Sequence, residues 1–242
     1  MSSKRADLLL VERGLFASRA RAQEAIAAGL VTADGKRVAK PSALVDDAAR
    51  IEATAAHPWA SRGGLKLVAA LDAFGIDPTG RACLDIGAST GGFTDVLLTR
   101  GARSVVAIDV GREQFAQRLK TDPRVRSFEG FDARELTLEV LLERPELIVC
   151  DVSFISQRLV LPKVLSLAAP GAHYIGLVKP QFEVGRDKLK KGVVRDEADL
   201  RQACEDVRAG VEALGWQSLG LIDSPIAGGD GAREFLYAAR HG

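Results

Sequence analysis

This chain of 242 residues lacks the cysteine and histidine patterns of disulfide-rich and metal-binding proteins. Its three cysteines, Cys83, Cys150 and Cys204, are widely spaced, form no CxxC pair and are odd in number. We therefore expect reduced, mostly buried thiols in a cytoplasmic protein. The three histidines form no cluster, so no metal is expected.

The sequence also lacks long hydrophobic runs and a strong charge of either sign. No run approaches the roughly 20 apolar residues of a membrane span, and the opening MSSKRADLLLVERG has no signal-peptide core. The net charge is +1, so any nucleic-acid surface must come from local clustering. What is present is an ordinary globular balance, with 47% apolar and 27% charged residues.

The first part of the chain, residues 4–54, reads as a small α+β module. ADLLLVERG is amphipathic and ends at Gly14, and Ser18 can cap a second helix that closes at Gly29. Two short strands flank Asp34-Gly35, which is a hairpin signal, and ARIEAT predicts a further strand. Two helices and a hairpin bury a marginal core, as is typical of an appended module.

Basic residues gather in this module. The stretch LLLVERGLFASRARAQEAIAAGLVTADGKRV resembles the S4 RNA-binding domain. The resemblance implies a basic helix face against a structured RNA backbone, whereas such a cluster alone is often a solvated surface. We place the module at residues 1–57 and an inter-domain linker at 58–64. The candidate RNA-binding residues are Lys4, Arg5, Arg19, Arg21, Lys36 and Arg62.

The remaining residues, 65–242, alternate between apolar strands and helices. The predicted parallel strands are ACLDIGA, SVVAIDV, VRSFEG, ELIVCDVS and AHYIGLVK. The predicted helices between them cover 91–100, 112–120, 134–142 and 157–168. After a loop at 180–195 and one more helix, WQSLGLIDSP and EFLYAAR predict an antiparallel closing pair. The pattern indicates an α/β domain with a mostly parallel sheet.

A glycine-rich turn, LDIGASTGGFTDVLL at 84–98, follows the first of these strands. It has neither the GxxxxGK[ST] of a phosphate loop nor the GxGxxG of a dinucleotide site, which disfavours a nicotinamide oxidoreductase. It resembles motif I of class I methyltransferases. That resemblance implies a Rossmann-like sheet and S-adenosyl-L-methionine as cofactor.

The candidate cofactor residues lie in this turn and at the next two strand ends. Asp109 ends the second strand, where a carboxylate can accept both ribose hydroxyls. Phe131 and Asp132 follow the third strand and can stack on and hydrogen-bond the adenine. The full candidate set is Asp85, Gly87, Ala88, Ser89, Gly91, Gly92, Phe93, Asp109, Val110, Phe131 and Asp132.

The residues after the fourth strand, VCDVSF, bear on what receives the methyl group. The [ND]PP[YF] motif of base amino-methylation is absent, and Cys150 lies within an apolar strand without the Pro-Cys of carbon-5 methylation. Four residues at element edges resemble the tetrad of FtsJ-like ribose 2′-O-methyltransferases: Lys66, Asp151, Lys179 and Glu234.

The chemistry of a ribose hydroxyl suits these residue types. The hydroxyl must lose its proton as it attacks the sulfonium methyl group, and a neutral lysine can accept it. A free lysine has a pKa of about 10.4, so the base needs desolvation or a cationic neighbour. Lys179 is the first candidate for the base and Lys66 for the neighbour. Asp151 and Glu234 both favour the charged form of a neighbouring lysine and so oppose the loss of its proton. The sequence leaves open which of the two lysines is the base.

Together with the first module, five further segments resemble the TlyA (hemolysin A) family of ribosomal RNA methyltransferases: SRGGLKL, DIGASTGGFTDVLL, CDVSFIS, VKPQFE and GAREFL. The resemblance covers residues 4–241. It implies 2′-O-methylation of a cytidine in ribosomal RNA, with the ribosomal subunit as partner, and the short form of the chain implies large-subunit RNA. We also expect Glu183 and the basic loop GRDKLKKGVVR to line the RNA entry.

Two other functions stay open. One is a non-catalytic RNA-binding assembly factor, which binding of the cofactor would distinguish. The other is a membrane-active haemolysin, which the absence of a long apolar segment disfavours.

Overall fold

The computed structural model describes residues 3–242, so residues 1–2 of the predicted module lie outside the described residues. The chain separates at Pro58 into two units. Within residues 3–58, strands form one two-stranded and one three-stranded sheet. Their bounds are β1 (Ser3–Arg5), β2 (Val31–Ala33), β3 (Lys36–Arg37), β4 (Leu44–Asp46) and β5 (Ile51–Ala53), with helices α1 (Ala6–Glu12) and α2 (Arg19–Ala27).

The local signals of this first unit are confirmed. Ser18 caps α2 by accepting from the backbone N–H of Arg21, and Gly14 and Gly29 follow the two helices in the left-handed region. Strand β2 pairs antiparallel with β3 around Asp34-Gly35 and with β5 on its other side. The sequence does not predict the β1–β4 pair, because three-residue strands are too short to show periodicity.

Within residues 59–242, seven strands form one sheet in the order β11-β12-β10-β9-β6-β7-β8. Strand β12 is antiparallel to β10 and β11, and the other pairs are parallel. The predicted parallel sheet and its antiparallel closing pair are confirmed. The strands are β6 (Ala82–Ile86), β7 (Ser104–Asp109), β8 (Val125–Glu129), β9 (Leu147–Cys150), β10 (His173–Val178), β11 (Trp216–Asp223) and β12 (Phe235–His241).

Helices cover both faces of this sheet. Successive residues of a strand enter opposite cores: Leu84 and Ile148 lie in one, Cys83 and Val149 in the other. The three cysteines are buried, as predicted. The helices are α3 (Gly63–Phe74), α4 (Gly92–Thr99), α5 (Gln117–Lys120), α6 (Leu138–Leu141), α7 (Gln157–Leu165), α8 (Pro180–Glu183) and α9 (Glu197–Glu212), with 3₁₀ turns at Ala133–Glu135, Arg186–Lys188 and Gly229–Gly231.

Several helices differ in their bounds from the predicted ones. The helix expected at 112–120 is reduced to α5, because Glu113 is in the left-handed region with φ +58° and the Ala116 N–H donates to the Thr90 oxygen at 3.2 Å. The helix expected at 134–142 is a 3₁₀ turn followed by α6. Helix α3 begins at Gly63, inside the predicted linker 58–64, and the predicted loop 180–195 begins with the single turn of α8.

Candidate active site

The carboxyl ends of the central strands collect polar side chains at one edge of the sheet. Gly87 follows β6 and Asp151 follows β9, and the pairing of Ile86 with Cys150 sets these two residues side by side. The approach is close, since a Cβ on Gly87 would lie 2.5 Å from the backbone oxygen of Asp151. Gly87 also has a φ of +80°. Both facts require glycine at this turn.

Strand register brings Lys179 and Glu234 to the same edge. Val178, the last residue of β10, pairs with Phe235, the first residue of β12. Lys179 and Glu234 are the next residues outward on these two neighbouring strands. Because β12 runs antiparallel, a residue before its start meets a residue after the end of β10.

The four tetrad candidates form two ion pairs at this edge. Lys179 Nζ lies 2.6 Å from Asp151 Oδ1 and donates to Ser153 Oγ at 2.8 Å. Lys66 Nζ donates to Glu234 Oε2. The second pair is deeper, because the side chains of Lys66 and Glu234 are 8% and 3% exposed. Those of Lys179 and Asp151 are 11% and 21% exposed.

Helix α3, which carries Lys66, begins beside the Lys179–Asp151 pair. A Cβ on Gly63, its first residue, would lie 3.9 Å from Asp151 Oδ2. Lys66 is three residues later and therefore on the same face of the helix. The start of α3 thus places the backbone of Lys66 one helical turn from a residue that lies beside Asp151.

A cleft of about 340 Å³ opens beside Asp151. Its walls include apolar side chains such as Ile108 and Val160 together with Ser153. Of the predicted cofactor residues, the cleft is lined by Gly87, Ser89, Asp109, Val110 and Phe131. The remaining ones do not line it: Asp85, Ala88, Gly91, Gly92, Phe93 and Asp132.

Asp109 and Asp132, the two carboxylates predicted to contact the cofactor near its ribose and adenine, differ in position. Asp109 accepts the backbone N–H groups of Ser89 at 2.7 Å and Gly111 at 2.6 Å. A carboxylate oxygen has a second acceptor site, so Asp109 can still bind hydroxyl groups in the cleft. Asp132 instead accepts from the Arg134 guanidinium through both oxygens and caps the 3₁₀ turn that follows.

Asp85 lies beneath the glycine-rich turn. Its Oδ2 accepts the N–H of Thr94 at 2.9 Å and the hydroxyl at 2.6 Å, which ties β6 to α4. Its Oδ1 is buried and finds no hydrogen-bond partner among residues 3–242. Burial raises the pKa of Asp85 to about 7, against the Thr94 hydrogen bonds and with a further contribution from the nearby Asp151 charge.

The junction after Pro58 is fixed to the larger unit. The backbone N–H of Ala60 donates to Asp95 Oδ2 at 2.7 Å, and Asp95 also pairs with Arg118. Gly92 leaves room for the Ser61 hydroxyl, which lies where a Cβ would stand. Residues 60–61 therefore pack on the start of α4.

Sequence reasoning missed Phe154, which is 90% exposed on the wall of the cleft. Its φ is +65°, and its ring lies 5.1 Å from the ring of Phe182. An aromatic residue three positions after Asp151, in the loop following a strand end, was the available signal. Such a side chain offers a stacking surface beside the cleft.

Glu183 does not line an entry, so that prediction is wrong. It is buried and accepts from the Ser156 hydroxyl at 2.5 Å and the Gln157 N–H at 2.9 Å, which caps α7. Burial raises its pKa. Burial also raises the pKa of the Cys150 thiol to about 12, which agrees with an unreactive cysteine.

In the first unit, Asp7 organises two of the predicted RNA-binding residues. Asp7 is buried and accepts from Arg5 in a bidentate pair at 3.0 Å, from Arg19 at 3.0 Å and from Gln23 at 2.8 Å. These donors, Arg5 foremost, hold the pKa of Asp7 well below its usual range. Lys4, Arg5 and Arg19 together line a surface groove.

The other three RNA-binding candidates lie elsewhere. The Arg21 guanidinium donates to the His57 carbonyl oxygen at 2.8 Å and contacts its ring. Lys36 is exposed on β3. Arg62 precedes α3 and belongs to the second unit.

Residues 3–242 hold no group of three or more His, Cys, Asp or Glu side chains placed to bind a metal ion. In the same range, no helix is long and apolar enough to cross a bilayer.

The two units match two different families of known proteins. Residues 59–241 match the FtsJ-like methyltransferase family, and residues 4–51 match the S4 domain. The chain is 47% identical over 239 residues to 16S/23S rRNA (cytidine-2′-O)-methyltransferase TlyA of Mycobacterium tuberculosis, which covers 98% of this chain and 89% of that protein.

Two further relatives carry another name. Hemolysin A of Brachyspira hyodysenteriae is 37% identical over 234 residues, covering 96% of this chain and 98% of that protein. A solved structure described as a candidate hemolysin from Streptococcus thermophilus has a TM-score of 0.79 and 39% identity, over 100% of this chain and 89% of that one.

Proposed function

We propose that this chain, which belongs to the TlyA family of FtsJ-like methyltransferases, methylates the ribose 2′-hydroxyl of a cytidine in ribosomal RNA with S-adenosyl-L-methionine. The observation that supports this most is the presence of two Lys–carboxylate pairs at one edge of the sheet, one of which reaches the cleft through Asp151. A purely RNA-binding assembly factor would not need that arrangement. A ribosomal RNA substrate would support a cytoplasmic location.

The cleft suits the proposed cofactor. Asp109 can accept from ribose hydroxyls, the Phe131 ring offers a face to the adenine, and Gly87 lets the backbone turn without a side chain in the way. When bound, the cofactor supplies an electrophilic methyl group on a sulfonium. The carboxylates at the strand ends favour a cationic ligand.

Lys179 is the base we propose for the 2′-hydroxyl proton. Asp151 lines the cleft and Lys179 contacts it, so the Lys179 amine is the one nearer to the cleft. Ser153 and Asp151 fix the direction of the amine. Lys179 must lose its own proton before Nζ can accept the one from the hydroxyl, a loss that the Asp151 carboxylate opposes and a second ammonium nearby favours. Lys66 and Glu234 lie deeper and add a fixed positive charge with its counter-ion.

RNA recognition would divide between the two units. In the larger one, Phe154 offers its exposed ring to the target base. In the first, the groove lined by Lys4, Arg5 and Arg19 suits phosphate groups, with Asp7 holding the two arginines in place.

The test is methylation of isolated ribosomal subunits with labelled S-adenosyl-L-methionine, followed by alkaline-ladder mapping. A 2′-O-methylated nucleotide resists alkaline cleavage because the internal nucleophile is blocked. We expect label in ribosomal RNA and a missing band at a cytidine. A complete ladder with the label on a base would overturn the proposal, as would binding of RNA without any transfer.

A further inference from the structure

We propose that Gly228 is a positioning residue for this reaction, because the space left by its missing side chain is occupied by the Glu234 carboxylate that holds Lys66. The proposal rests on the function proposed above. Gly228 lies in the loop between β11 and β12, outside the glycine-rich cofactor turn.

The contact involves most of the Glu234 side chain. A Cβ built on Gly228 would overlap Glu234 Oε1, lie 2.6 Å from its Cδ and lie 3.2 Å from its Cγ. Real Cβ atoms do not approach other heavy atoms this closely. The head of the carboxylate therefore rests directly on the glycine.

Glu234 cannot easily move away from an added methyl group. Only 4% of the residue is exposed, and its other oxygen, Oε2, accepts from Lys66. Lys66 is itself 6% exposed. A shift of Glu234 would leave a buried ammonium without its partner, which is costly.

The loop cannot easily move either. The N–H of Gly228 donates to the Ala232 oxygen at 2.9 Å, and the N–H of Ala232 donates to the Gly229 oxygen at 3.0 Å. At the base of the loop, the N–H of Ser224 donates to the backbone oxygen of Glu234 at 2.9 Å. These bonds hold residue 228 against the side chain of residue 234.

Backbone conformation does not explain the glycine. Gly228 has φ −71° and ψ −165°, which other residues adopt. Its neighbour Gly229 is a matched control, since its φ lies outside the left-handed region and a Cβ there would meet nothing within 4 Å. The two glycines differ in their contact with Glu234.

The experiment compares Gly228→Ala with Gly229→Ala in single-turnover methylation of the ribosomal substrate. We expect Gly228→Ala to lower the rate constant by about tenfold to 100-fold, since small displacements in an active site have effects of this size. RNA and cofactor affinities should stay within about twofold, and Gly229→Ala should match the wild type within about twofold. A Gly228→Ala enzyme as active as Gly229→Ala overturns the proposal.

A double-mutant cycle separates positioning from a general loop defect. In a Glu234→Ala background the added methyl group has nothing to displace, so Gly228→Ala should cause no further loss of rate. An equal further loss in that background would show that residue 228 acts through something else.

Thermal unfolding of the wild type, the two single variants and the double variant tests the contact between residues 228 and 234 without measuring activity. We expect Gly228→Ala to lower the melting temperature in the wild-type background and not in the Glu234→Ala background. If Gly228→Ala does not fold and Glu234→Ala does, the double variant should fold as Glu234→Ala does. Failure of both would overturn the proposal, whereas an inactive wild type with the expected melting temperatures would count against the proposed function alone.

Discussion

Asp7 in the first unit and Asp85 in the second are both buried carboxylates, but their surroundings are opposite. Asp7 accepts from two guanidinium groups and an amide, and its pKa lies well below the usual range. Asp85 has one paired oxygen and one without a described partner, and its pKa is raised to about 7. Burial is common to both, so the difference lies in their partners.

The difference follows the proposed roles of the units. In the first unit, the buried Asp7 carboxylate holds Arg5 and Arg19 at a surface groove, and their positive charges balance its negative charge. In the second, carboxylates gather at the strand ends: burial first, and then the charges of Asp151 and Asp109, raise the pKa of Asp85. A ligand with a positive sulfonium relieves that repulsion, which a binding module for phosphates does not need.

The largest expected effect is on turnover, and it tests whether Lys179 in the second unit acts as the base. Lys179→Ala should reduce turnover by about 100-fold or more, the usual scale for loss of a general base. Cofactor affinity, measured by calorimetry, should change little. Lys163→Ala, at an exposed position of α7, is the control. A Lys179→Ala enzyme that keeps more than about a tenth of the wild-type rate would make Lys66 the better candidate.

The next prediction concerns Asp85 and the stability of the larger unit. The unfolded carboxyl has a pKa of about 3.9, and the folded one is raised to about 7. The folded state thus binds the proton more tightly, so stability should fall between pH 4 and pH 7, on the order of 4 kcal/mol. Asp85→Asn should flatten this decline. Urea unfolding followed by tryptophan fluorescence measures it, because Trp59 and Trp216 both lie in this unit.

Asp7 should show the opposite sign. Its folded pKa is lowered, so its contribution is present above the unfolded pKa of about 3.9 and is lost as the pH falls. Asp7→Asn should therefore destabilise the first unit at pH 7 and make it less sensitive to acid. Hydrogen exchange of α1 and α2 amides reports on this unit. If the contributions of Asp7 and Asp85 to stability change in the same direction as the pH falls, the contrast between the two carboxylates is wrong.

A smaller effect is expected for cofactor binding. Asp109→Ala should weaken affinity about tenfold, through loss of charge-assisted hydrogen bonds. Asp132→Ala is the matched control, since Asp132 pairs with Arg134 and does not line the cleft. Calorimetry on both variants tests the assignment. Equal losses would restore Asp132 as a cofactor contact.

The smallest effect belongs to the groove of the first unit. Lys4→Ala should weaken RNA binding modestly and reduce the slope of log affinity against log salt by about 1, as expected for one phosphate contact. Arg50→Ala removes an exposed charge of the same unit that does not line the groove. If both variants change the slope equally, the groove is not the docking site.

Local signals account for what could be predicted from the sequence. Alternating apolar runs indicated the buried sheet, Ser18 and the glycines marked helix ends, and the TlyA resemblance is confirmed by identity along nearly the whole chain. The shortened helices show the limit of such reasoning. Residues 112–120 have a helical pattern, but Glu113 is in the left-handed region and the Ala116 N–H donates to the distant Thr90 oxygen.

The sequence by itself determined the strand ends, which are visible in the pattern, and its resemblance to the FtsJ-like tetrad supplied the residue types expected at the site. Only the tertiary structure decided which lysine meets which carboxylate. Lys66 and Glu234 are 168 positions apart, and they meet because β12 inserts antiparallel beside β10. The contact of Gly228 with Glu234 has the same origin. Periodicity records the local backbone, whereas such pairs depend on strand order and register, which no local pattern contains.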